Sequence, residues 1–210
     1  MSNSKPCTTK NRGFTLIELL TVMGILVLLA ALTVPAYQSL TNSLALTRAA
    51  NLCLDNLSQA RQEALTKGDI TEVRFYKANH PGSSGETYYR IIRLVRINID
   101  DTGTITESDL IKPSLLPVGT AISEMATFST LVTESPIEGE SLLPGWGEDL
   151  FEYVGFRFAR DGSTNLSPSA TQNWFVTLVP EKDATASKQP DNFATVRIDP
   201  QTGRSQLYQP

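Results

Sequence analysis

The sequence predicts an α+β protein: one long N-terminal helix, apolar in its first half and amphipathic in its second, packed on a head built from antiparallel β-sheet. Three observations predict it. Phe14 to Val34 is a run of 21 residues whose one charge is Glu18. Leu46, Ala49, Ala50, Cys53, Leu57, Ala60 and Ala64 then recur at spacings of three and four, and after Gly68 the chain alternates with a period of two.

The elements follow in order. Residues 1–13 carry Lys5, Lys10 and Arg12 and no acid, which marks a basic leader whose end stays in the cytoplasm. Residues 14–35 form an apolar helix; at about 1.5 Å per residue its uninterrupted run is about 31 Å long, the thickness of a bilayer's hydrocarbon core, so the segment reads as transmembrane and the remainder as exported. Residues 36–67 continue as an amphipathic helix with Arg48, Asn51, Asp55 and Arg61 on its wet face, and Lys67-Gly68 supplies a basic last turn and a glycine cap. Pro35 removes a backbone donor and bends the helix where the two halves meet.

Residues 68–210 form the β-rich head. Strands are expected at 71–77, 87–99, 118–123, 154–159, 174–180, 193–199 and 205–208. Asp101-Thr102-Gly103, Asp161-Gly162 and Gln201-Thr202-Gly203 punctuate them as turns, while residues 124–150 follow no pattern. Cys7 and Cys53 lie on opposite sides of any membrane the apolar run spans, so no disulfide framework is available. Cys53 falls on the buried stripe and reads as a small apolar residue.

Glu18 is the anomaly. A carboxylate in an apolar run costs several kcal/mol unless it finds a partner. A cleaved secretory signal wants a shorter apolar core and a small-x-small site, and "TVPAYQSL" offers a poor one. A simple signal anchor leaves Glu18 without a role, and a carboxylate snorkelling to the headgroups is the bland alternative.

The residues Gly13-Phe14-Thr15-Leu16-Ile17-Glu18, behind a basic leader and ahead of Pro35-Ala36-Tyr37, resemble the processing and assembly motif of type IV prepilins and pseudopilins. That resemblance implies a pilin-like fold, cleavage between Gly13 and Phe14 by a prepilin peptidase, methylation of the new Phe14 amine, and a helix kink at Pro35. It also implies pairing of Glu18 with the Phe14 amine, within one subunit or on a neighbour in a filament. "LSQARQEALTKGDITEVRFY" is similar to the helix end and first strand of the GspH/FimT branch, and the tail, "FRFARDGSTNLSPSATQNWFVTLVP" with "NFATVRIDPQTGRSQLYQP", is similar to Verru_Chthon cassette protein D. The function implied is that of a minor pilin or pseudopilin, a structural subunit of a type IV pilus or type II secretion-like filament. Its partners are the peptidase, other pilins and the inner membrane, with the head on the periplasmic or extracellular side. A monomeric signal-anchored binding module and a FimT-like DNA-uptake pilin are the alternatives.

Other chemistry finds less support. The single histidine, His80, lies in a polar loop, no Ser or Cys has a recognisable base, and phosphate loops, CxxC and HExxH motifs are absent from the sequence, so no enzyme and no obligatory cofactor is expected. "NIDDTGTITESD" fits calcium-loop spacing through Asn98, Asp100, Thr102 and Asp109, with Gly103 at the turn, yet a plain hairpin turn explains it equally. The acidic stretch 133–153 around Trp146 is a solvated loop or a knob that meets a neighbour. Nucleic acid is not expected: a chain starting at Phe14 keeps 15 basic against 22 acidic side chains, a formal charge of −7, and Gly203-Arg204-Ser205-Gln206 lacks the second arginine of the DNA-capturing pilins' Gly-Arg-x-Arg motif. Arg90, Arg93 and Arg96 form the one local basic cluster on a strand.

Overall fold

The structure, a computed structural model, describes residues 14–79, 85–100, 102–168 and 173–210, with the helical backbone alone for 32–40. The chain divides into two units, residues 1–41 and 42–210. Helix α1 (Leu16–Lys67) contributes to both. It is assigned as helix straight through position 35. The Pro35 side chain, and with it the expected kink, lies outside the described residues, as do the leader, His80 and Asp101.

In the second unit the stripe read from periodicity is the buried face of α1. Leu46, Ala49, Ala50, Cys53, Leu57, Ala60 and Ala64 have no solvent exposure. Four of these seven are alanine and one is cysteine, so the helix backbone approaches the sheets closely while Leu46 and Leu57 fill the wider gaps. Gly68 ends the helix at φ +68°, its N–H bonded to the Ala64 carbonyl at 3.0 Å; a side chain there would strain the left-handed backbone.

The head holds two antiparallel sheets where one was expected. Strands β1 (Ile70–Ala78), β2 (Tyr88–Ile99), β3 (Ile105–Asp109), β4 (Ser114–Leu115), β6 (Ile137–Leu142) and β7 (Leu150–Phe158) form the first. Its order is β3-β2-β1-β7-β6, with β4 also paired to β2. The second sheet runs β10-β9-β8-β5, from β5 (Thr120–Ile122), β8 (Trp174–Pro180), β9 (Ala194–Ile198) and β10 (Ser205–Tyr208). A short helix α2 (Thr130–Thr133) adds Leu131 and Val132 to the core. All seven expected strands are present. The difference is their partition, because β8 pairs with β5 and β9, and β10 with β9, instead of continuing the first sheet beyond β7.

One hydrophobic core joins the α1 stripe to Val73 and Phe75 of β1, Ile92 and Leu94 of β2, Phe156 and Phe158 of β7, and Trp174, Val176, Val196 and Ile198 of the second sheet. The period-two alternation that sends Val73 and Phe75 inward turns Glu72, Arg74 and Tyr76 to the opposite face of the first sheet.

Candidate functional site

The N-terminal site begins at Phe14, which is 80% exposed and, with Thr15, precedes the helix. Thr15 caps α1: its carbonyl accepts from the N–H groups of Glu18 at 3.1 Å and Leu19 at 3.2 Å, and its hydroxyl accepts from Glu18 N–H at 3.4 Å. The Thr-x-x-Glu spacing is that of a capping box, a local signal that the sequence reading passed over. Glu18 therefore sits in the first turn, where the partial positive charge of the free N–H groups favours a carboxylate.

From Phe14 to Ala31 every side chain is exposed, and the apolar ones point in all directions around the axis: Leu16, Ile17, Leu19, Leu20, Met23 and Leu26 cover more than one turn each way. A helix apolar all round belongs in an apolar surrounding, either lipid or other helices. Among the described residues no helix is long and apolar enough to cross a membrane. The described side chains stop at Ala31, inside the 21-residue run read from the sequence.

In the head, the calcium candidates separate. Asn98 and Thr106 pair across the β2–β3 hairpin, and Asp100 anchors its turn by accepting from the N–H groups of Thr102 at 2.9 Å and Thr104 at 2.8 Å and from the Thr102 hydroxyl at 2.6 Å. Those bonds, the Thr102 hydroxyl first, hold the Asp100 carboxyl below the usual carboxylate range. Asp109 lies at the far end of β3, four residues from Ile105 or about 13 Å along the strand, and is paired with Arg93 at 2.6 Å. Spacing that would wrap a loop around an ion is drawn out here into a ladder. Among the described residues no group of three or more His, Cys, Asp or Glu side chains is arranged to hold a metal.

The three arginines of β2 are likewise committed. Arg90 pairs with Glu181 at 2.9 Å, Arg93 with Asp109, and Arg96 with Glu63 and, at 3.3 Å, Asp69. Arg96 faces α1 while Arg93 faces the opposite side, as the alternation requires. Cys53 is fully buried and burial pushes its thiol up to about 12, which leaves it unreactive at neutral pH. Trp146 is half-buried, its ring edge-on to Phe151 at 6.3 Å.

The sequence reading missed a buried ionic network on the outer face of the first sheet. Glu72, with no exposure, receives Arg74 Nε at 2.5 Å and Arg157 Nε at 2.7 Å. Arg74 also makes a two-pronged pair with Glu107 at 2.9 and 2.5 Å, and stacks on the Tyr153 ring, 4.5 Å from its centroid. Arg93 donates to Tyr76 Oη at 3.1 Å, which meets Ser141 Oγ at 2.8 Å. Burial pulls the Arg74 guanidinium down, but its bonds to Glu107 and Glu72 outweigh that and raise it. The Glu107 carboxyl is correspondingly lowered, the Arg74 hydrogen bond being the largest cause. The signal was present in "TEVRFYK": Glu72, Arg74 and Tyr76 share one face at i, i+2, i+4, which reads as a wet face unless the partner strands are known.

Comparison with known proteins concerns mainly the N-terminal segment. Residues 8–34 match the prokaryotic N-terminal methylation motif. The chain is 55% identical over 38 residues to Prepilin peptidase-dependent protein D of Escherichia coli (strain K12), a match covering 18% of this chain and 26% of that protein. The chain thus spans about a quarter of the length of the curated relative it matches. Among solved structures it is similar to the minor pseudopilin EpsH from the Type 2 Secretion System of Vibrio cholerae, with a TM-score of 0.42 and 12% identity over 79% of this chain and 97% of that one.

Proposed function

We propose that this chain is a minor pilin or pseudopilin: a non-catalytic subunit anchored by its N-terminal helix in the inner membrane, cut between Gly13 and Phe14 by a prepilin peptidase, methylated at the Phe14 amine and assembled into a filament. The observation that carries this reading is the start of α1, where one carboxylate in the first helical turn interrupts an exposed surface that is apolar all round. The methylation motif over residues 8–34 supports the processing step. The finer placement, in the GspH/FimT branch and beside Verru_Chthon cassette protein D, rests on the resemblances of the helix end and the tail alone.

The physics of assembly follows from Glu18. Once the leader is removed, the Phe14 amine is a cation one turn from the carboxylate, close enough to offset its charge within the subunit. In a bundle of apolar helices an incoming Glu18 meets the amine of a neighbour, and only one axial offset brings the two together. Such a buried pair contributes more to register and partner choice than to net stability.

The test is Glu18→Val in the native host. The variant is expected to enter the membrane and lose its leader normally, yet to be missing from the sheared filament fraction on an immunoblot. Incorporation at the wild-type level would remove Glu18 from the mechanism.

A further inference from the structure

The charges of the head are unevenly satisfied. Most described carboxylates elsewhere are engaged: Glu63, Asp69, Glu72, Glu107, Asp109, Glu124 and Glu181 in ion pairs, and Asp100, Asp161 and Asp199 in turns. The β6–β7 hairpin gathers the largest group of the others. Glu138, Glu140 and Glu152 on its strands, and Glu148 and Asp149 in its turn, are without a described basic partner. Glu140 and Glu152 are moreover direct cross-strand partners, a like-charge pairing that destabilises the isolated hairpin. Two of these acids also act inward: burial first, then Glu124 from outside the hairpin, then Glu152 and Glu138 push the Tyr89 phenol up to about 12. On the same hairpin face Leu142 and Leu150 pair with each other and stay 53% and 63% exposed.

At the other end of β7 the pattern inverts. The turn after β7 carries Arg160, exposed and without a described carboxylate partner; it abuts the turn carrying Arg204, in the same condition, since Gly162 and Gly203 touch, and Leu65 of α1 lies against Gly162. Leu65 is 44% exposed and lines, with Arg61 and Arg204, a groove of about 430 Å³. The two acids of these turns, Asp161 and Asp199, direct their carboxylates at backbone N–H groups. The nine residues of β7 separate the ends by roughly 26 Å, so a chain cannot satisfy its own hairpin.

We propose that copies of this chain associate head to tail, the acidic β6–β7 hairpin of one seating on the basic end of the next, with Leu142 and Leu150 against Leu65 and the carboxylates against Arg160 and Arg204. The two patches are complementary: exposed leucines flanked by carboxylates without a described basic partner on one, and Leu65 flanked by guanidinium groups without a described carboxylate partner on the other, where Asp161 and Asp199 are turned to their own backbone N–H groups. Because the two surfaces differ, the contact is heterologous and propagates instead of closing on itself. The inference names the partner in the filament reading above and rests on that reading for its setting.

The experiment uses two differently tagged full-length copies co-expressed and co-purified in detergent micelles at low salt. Glu140→Arg with Glu152→Arg is expected to lower recovery of the second copy about tenfold. Arg160→Glu with Arg204→Glu is expected to do the same, and an acid-reversed copy mixed with a base-reversed copy to restore recovery. All four side chains are exposed, and unchanged thermal unfolding of each variant verifies the fold. Undiminished recovery in either reversal, or loss without restoration in the mixture, overturns the contact; the latter result would assign the hairpin to a different subunit. The N-terminal mass of the same preparations separates the two ideas: an intact leader with association preserved sinks the filament reading alone, and a processed chain without association sinks only the contact.

Discussion

Replacing Arg74 by leucine tests how the head tolerates a charge network beneath its outer surface. Arg74 is 2% exposed and Glu72 is not exposed at all, so the substitution leaves a carboxylate buried with Arg157 as its one remaining cation. Breaking a buried pair from one side costs about 3–5 kcal/mol. The Arg157 side chain, 39% exposed, keeps part of the compensation and holds the loss near 3, while the stacking on Tyr153 adds about 1. A total near 4 kcal/mol lowers the midpoint of thermal unfolding by roughly 8–16 °C at this domain size. Removing both partners, Glu72→Leu with Arg74→Leu, deletes the buried charges together and returns Arg157 and Glu107 to solvent; it is expected to fall within about 1 kcal/mol of the unmodified protein. Circular dichroism melts of Arg74→Leu, Glu72→Leu, the double variant and the parent close the cycle. A single Arg74→Leu loss below about 1 kcal/mol, or a double variant as unstable as the sum of the singles, refutes the reasoning.

Further expectations follow from the same geometry. The Glu107 carboxyl is lowered in the folded head from its ordinary 4.5 by Arg74, so its contribution to stability is full above that value and is lost as pH falls through the depressed folded value; acid titration of Glu107→Gln should show a shallower decline than the parent, and identical curves would contradict this. Cys53, fully buried, should react with a thiol reagent at pH 8 at the rate of unfolding, in a Cys7→Ala background so that one thiol is counted; fast labelling under native conditions would contradict the packing. A methyl group at Gly155 would lie 2.3 Å from the Val73 carbonyl oxygen, between β1 and β6, so Gly155→Ala should cost about 1–3 kcal/mol through overpacking, measured as a loss in the urea midpoint.

How legible the fold was depends on how much apolar surface each element buries. The α1 stripe was readable residue by residue because all seven positions are fully buried, and "TEVRFYK", "WFVTLVP" and "FATVRID" were readable because they alternate against the core. Strand β3 was not, since "ITESD" is exposed along its whole length and is held in place by the partners of Glu107 and Asp109. Strand β6 was taken as part of an acidic loop because Glu138, Gly139 and Glu140 carry no apolar alternation, and its order comes from pairing with β7. The split into two sheets depends on which strands meet across loops, a long-range choice that local pattern does not encode. Among site residues, Thr15 and Glu18 are set by local capping chemistry and were open to sequence reasoning. For Asn98, Asp100, Thr102 and Asp109 the sequence left a calcium loop and a plain hairpin turn side by side, because the two share their residue types and differ only in register, which the pairing of β2 with β3 sets.

The central claim is the processing that makes Glu18 useful, and the intact mass of the protein purified from its native membrane tests it most directly. The account predicts a chain that begins at Phe14 and carries one added methyl group at its amine. A chain retaining residues 1–13, in a host whose prepilin peptidase is active, would contradict it.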